Sequence, residues 1–146
     1  MIKQLLAVVG IAFVLAACGE SPQTASLQQP PPAPPPPTKA WMVFFDTNST
    51  TLSQQANTTV SEAANVAKSM PNSKLVVTGY TDTEGSVTYN KALSVRRANA
   101  VRDALMRNGI SPAAISVVGE GEQGLLVPTA DQVKNENNRR VQIVVQ

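Results

Sequence analysis

An arginine stands on the apolar face of a helix in this chain. Over residues 93–105, at about 100° of rotation per residue, Leu93, Ala98, Ala100, Val101, Ala104 and Leu105 share one face. Arg96, Asn99, Arg102, Asp103 and Arg107 fall opposite or at its borders, and Arg97 falls in its middle. A guanidinium buried without a partner loses its hydration uncompensated, so Arg97 needs an anion. Asn90 lies on the same side of the helix, and the loop before it offers Asp82 and Glu84. These residues outline a polar pocket at the start of the helix. Two uses fit them equally: a structural ion pair between Arg97 and Asp82, or a site for a charged ligand.

The other reactive side chains narrow the chemistry further. The absence of histidine removes the usual general base at neutral pH, histidine triads and most zinc sites, and no cofactor is expected. A single cysteine, Cys18, allows no internal disulfide. Asp82 with Glu84 or Glu120 supplies enough carboxylates for glycoside cleavage, but a carboxylate held by a cation stays ionised and makes a poor acid. Gly119, Gly121 and Gly124 match the spacing of a dinucleotide-binding fingerprint. Leu125-Leu126-Val127-Pro128 follows them instead of a long helix, so a turn-rich loop is expected there. Twelve Lys and Arg against ten Asp and Glu are too evenly matched for a nucleic-acid surface, and no such partner is expected.

The elements that position these residues follow from periodicity. Residues 41–45, WMVFF, form a short apolar run expected to be a buried strand. Leu52, Ala56, Val60, Ala63, Ala67 and Met70 recur at spacings of three and four, which predicts a helix stopped by Pro71-Asn72. A strand over 75–78, a polar loop over 79–88, a second helix to Asn108-Gly109 and a strand over 115–118 come next. The last strand, 139–145, points Val141, Ile143 and Val145 to one face. Strands alternating with amphipathic helices predict two right-handed crossovers onto one sheet, with the helices on one face.

The N-terminal part reads as an address and a spacer. Lys3, an apolar run from Leu5 to Leu15 and small residues after it have the order of a signal peptide. The run is too short for a spanning helix, which needs about 20 residues. Leu15-Ala16-Ala17-Cys18 resembles a bacterial lipobox, which implies lipidation of Cys18 and an almost irreversible membrane anchor. Gly19 after the cysteine implies, by the same resemblance, the outer rather than the inner membrane. Residues 30–37, PPPAPPPP, can form no core and are expected to be a polyproline II rod. Fully extended, the tether from Gly19 to Lys39 reaches roughly 65 Å. The expected division is 1–17 signal peptide, 18–40 lipidated cysteine and linker, and 41–146 folded domain.

Gly79-Tyr-Thr-Asp-Thr-Glu-Gly85, Tyr89-Asn90 and Leu93-Ser-Val-Arg-Arg-Ala98 resemble the signature of the OmpA-like peptidoglycan-binding domain family. Phe44-Phe45-Asp46, Gly119-Glu-Gly121 and Asn138-Arg-Arg-Val141 extend the resemblance over residues 41–146. It implies an α+β fold of βαβαβ type, with a mixed four-stranded sheet and helices packed on one face. It also implies a non-catalytic domain that binds the diaminopimelate-containing stem peptide of peptidoglycan, Asp82 taking the ammonium and Arg97 the carboxylate. Opposite charges side by side suit a zwitterionic amino-acid end, and arginine can grip a carboxylate with two hydrogen bonds. Asn90 is expected to add polar contacts, and Thr81 and Asp46 to shape the rim. Tyr80 stands where many relatives carry histidine. Arg139 and Arg140 are expected to be structural or surface residues. The picture is a lipid-anchored outer-membrane protein facing the periplasm. The alternatives are a module bridging to an envelope protein partner and a peptidoglycan hydrolase.

Overall fold

The computed structural model describes residues 38–146; the expected signal peptide, Cys18 and the proline block lie outside the described residues. The elements are β1 (Lys39–Phe44), α1 (Gln54–Ser69), β2 (Leu75–Tyr80), α2 (Val87–Arg107), a single 3-10 turn (Pro112–Ala114), β3 (Ile115–Gly121) and β4 (Arg140–Val145). They form one mixed sheet of order β1-β4-β2-β3. The final strand pairs antiparallel with both β1 and β2, whereas β2 and β3 are parallel. The expected α+β class and four-stranded sheet are thus observed. The first crossover, from β1 to β2, spans a gap that β4 fills.

Each helix begins where a serine can cap it. Ser53 Oγ accepts from the Ala56 N–H and Ser86 Oγ from the Tyr89 N–H, each at 3.1 Å. Helix α1 stops ahead of Pro71, and α2 runs out into Gly109, whose φ of 90° is open to glycine at little cost. Both helices bury one stripe against the same face of the sheet. The core joins Val60, Ala63 and Ala67 of α1 and Val101 and Leu105 of α2 to the strand residues facing them. Those include Val141, Ile143 and Val145, the predicted stripe, each without solvent exposure.

Several boundaries differ from the sequence expectations. Strand β1 begins at Lys39, β2 runs on to Tyr80, β3 runs on to Gly121, and α2 starts inside the expected polar loop. The strand extensions pass through Gly79 and Gly119, which pair with each other across β2 and β3. A Cβ on Gly79 would run into the Ser94 carbonyl, and one on Gly119 would lie 2.7 Å from Ser94 Oγ. The glycines therefore let α2 lie close on the sheet. Two of the three fingerprint glycines belong to β3, which corrects the expectation of a loop there.

Residues 122–139 connect β3 to β4 and dock on the 81–86 loop. Thr83 Oγ donates to the Ala130 carbonyl at 2.6 Å, and the Gln132 side chain bonds the Gly85 backbone in both directions. Asn138 closes the loop on itself, exchanging two 2.8 Å hydrogen bonds with the Val127 backbone.

Candidate functional site

Three segments meet at one end of the sheet: 45–53 after β1, 81–86 after β2, and 134–139 before β4. Arg97 reaches them from α2. It has no solvent exposure, as its place on the apolar face predicts. Its Nε donates to the Ser49 carbonyl (2.9 Å), one terminal nitrogen to the Tyr80 carbonyl (3.2 Å) and the other to the Asp46 carbonyl (2.9 Å). The guanidinium carbon sits 5.3 Å from the centre of the Phe45 ring. Burial pushes the guanidinium down to about 10, against the pull of the Asp82 charge, so it remains a cation at neutral pH.

Asp82 is buried beside this array, but its partner is a different arginine. Its Oδ2 accepts from the Asn135 N–H at 3.1 Å and from Arg139 Nη1 at 3.2 Å. No ion pair joins Asp82 to Arg97 among the described residues. The structural pairing of Asp82 with Arg97 is therefore corrected: backbone carbonyls hold Arg97, and Arg139 holds Asp82. Arg139 also donates from Nε to the Phe45 carbonyl at 3.1 Å. Of the two expected readings, structural or surface, these contacts make Arg139 structural.

The other candidate residues divide. Thr81 is 1% exposed, and its hydroxyl has no hydrogen-bond partner among the described residues, an uncompensated buried polar group at the site. Asp46 gives its carbonyl to Arg97 and lines a cleft of about 280 Å³ with Phe44, Phe45, Thr51, Glu136 and Arg139. Asn90 is buried but turned away from that cleft. Its amide donates to Glu122 at 2.8 Å, with a long contact of 3.4 Å to the Asp82 carbonyl. It ties α2 to the end of β3.

Arg139 and Asn135 are the site residues that sequence reasoning missed. A signal for Arg139 existed: it lies two residues before Val141 and so shares the alternation of the buried stripe of β4. Arg140 points to the opposite face, where its guanidinium stacks 4.0 Å from the Tyr80 ring and donates to the Gly124 carbonyl. Among the described residues no three His, Cys, Asp or Glu side chains gather as a metal site.

The OmpA family model matches residues 44–139. An outer membrane protein of Gluconacetobacter diazotrophicus is 38% identical over 113 residues, which cover 73% of this chain and 30% of that protein. The chain spans about a third of the length of this and the next relatives it matches, two outer membrane porins F of Pseudomonas species. The peptidoglycan-associated lipoprotein of Pasteurella multocida is 30% identical over 95% of both chains. The crystal structure of the peptidoglycan-associated lipoprotein from Burkholderia pseudomallei superposes with a TM-score of 0.67 at 32% identity, covering 72% of this chain and 89% of that one. A family match across nearly the whole described domain, a relative matched almost end to end and the shared fold agree: the chain belongs to the OmpA family.

Proposed function

We propose that the protein is a non-catalytic outer-membrane lipoprotein that binds the diaminopimelate-containing stem peptide of peptidoglycan and so tethers the membrane to the wall. One observation carries this reading: a buried carboxylate and a buried guanidinium sit at one end of the sheet without neutralising each other. Asp82 is held through Oδ2 alone, and its Oδ1 accepts no hydrogen bond among the described residues. Arg97 donates three of the five N–H groups an arginine carries, which leaves one on each terminal nitrogen.

In this reading the ammonium of the diaminopimelate side chain meets Asp82 Oδ1, and its carboxylate takes the two remaining N–H groups of Arg97. Arg97 is fully covered, so the carboxylate reaches it only if segment 46–49, whose carbonyls it holds, yields. The Thr81 hydroxyl gains the partner it lacks. Phe44 and Phe45 wall the adjoining cleft, where the apolar stem of the ligand can lie. Asn90 contributes by holding the Asp82 loop rather than from the cleft side. The anchor is Cys18, with the proline-rich tether spanning the gap to the wall.

Incubation of the purified protein with wall sacculi tests the whole reading: it should pellet with them and release no soluble fragments. Released fragments would mean a hydrolase, and absence from the pellet would favour a protein partner. Cys18→Ser should leave the membrane fraction or accumulate as an uncleaved precursor. Normal fractionation with a retained labelled-palmitate signal would remove the proposed anchor.

A further inference from the structure

We infer that Arg139 is a positioning residue for the ligand's ammonium: it fixes Asp82 so that one carboxylate oxygen is turned to the ligand. This rests on the reading that Asp82 receives an ammonium group.

The geometry is that of a clamp. Arg139 is tied to the end of β1 twice, through its Nε to the Phe45 carbonyl (3.1 Å) and through its own carbonyl to the Phe45 N–H (2.9 Å). From this fixed base Nη1 reaches Asp82 Oδ2 at 3.2 Å, and the Asn135 N–H reaches the same oxygen at 3.1 Å. Two donors on one oxygen set the carboxylate plane and leave Oδ1 to a third donor. The Arg139 and Asp82 side chains are only 13% and 8% exposed, so water competes little for that arrangement. A guanidinium suits the task, because its rigid fork can hold the Phe45 carbonyl and Asp82 together where a lysine offers one point charge.

Two other roles make opposite demands. If Arg139 were a stand-in that the ammonium must displace, its removal would tighten binding. If it gripped the ligand's carboxylate itself, its removal would weaken binding whether or not the ligand carried an ammonium.

Calorimetric titration of the full-length protein in detergent separates these, with two probes. One is the tripeptide L-alanyl-γ-D-glutamyl-meso-diaminopimelate, and the other is the same peptide with its side-chain amino group acetylated. Wild type should prefer the first. Arg139→Gln should lose roughly tenfold in affinity for the first, the scale of one hydrogen bond to a charged group, and nothing for the second. Arg139→Lys should lose less, roughly threefold, and again only for the first. A melting curve of each variant confirms that folded protein is titrated, and if Arg139→Gln does not fold, the lysine variant decides alone. Tighter binding, equal losses for both probes, or undiminished preference in a folded variant would overturn the positioning role while leaving Asp82 as the ammonium site. A wild type indifferent to acetylation would overturn both.

Discussion

Arg97 and Arg139 meet the same end of the sheet from different elements and solve the problem of a buried charge in different ways. Arg97, on α2, hands its hydrogens to three backbone carbonyls. Arg139, at the entry to β4, divides its hydrogens between one carbonyl and the Asp82 carboxylate. The carbonyls that hold Arg97 belong to the backbone at the ends of β1 and β2, so in this structure Arg97 staples two loops. A carboxylate is a side chain that a second cation can share, so the recognition role proposed for Arg139 is an indirect one, through Asp82. Two arginines that look alike in sequence therefore carry unequal weight in the fold, and substitution should separate them.

The largest expected effect is on stability at Arg97. Arg97→Ala strands the carbonyls of Asp46, Ser49 and Tyr80 and empties a packed position against Phe45, so unfolding free energy should fall by about 3 to 5 kcal/mol. Urea denaturation checks this, and a loss under about 1 kcal/mol would mean that the carbonyls find water and the staple is unimportant. Arg139→Gln should cost less, about 1 to 3 kcal/mol, because the Asn135 N–H still holds Asp82. The reverse order in the same urea series would break the comparison. A smaller effect is expected at Asn138, which holds the 122–139 loop to itself but touches neither charge. Asn138→Ala should lower stability by about 1 to 2 kcal/mol and speed proteolytic nicking near Val127, with muropeptide affinity changed far less than by Asp82→Asn.

The fold was legible wherever side chains alternate or recur with a clear period. The stripe of β4 and the apolar face of α2 came straight from spacing, and Arg97 stood out because it interrupts such a face. The ends of β2 and β3 were not legible, because glycine has no side chain to carry a pattern and Gly79 and Gly119 serve the approach of α2. Nor does local patterning reveal that β4 inserts between β1 and β2, since pairing order is decided by contacts far apart in the chain. At the site, the fact that Asp82 and Arg97 are neighbours but not partners depends on where the carbonyls of 46–49 lie. Residue types alone carry no record of that. Arg139 was within reach: the alternation that marks Val141, Ile143 and Val145 as buried marks Arg139 too, by the same logic that singled out Arg97.

The central claim is that Asp82 and Arg97 form one site for a zwitterionic amino-acid end, with Asp82 supplying the negative half. Asp82→Asn keeps the shape and an oxygen for Arg139 and Asn135 while removing the charge, so it tests that half with little disturbance to the fold. Calorimetric titration of the folded variant with a diaminopimelate-containing muropeptide should show binding weakened by ~2 to 5 kcal/mol relative to wild type, the range for breaking a desolvated charge pair. Wild-type affinity in folded Asp82→Asn would contradict the account.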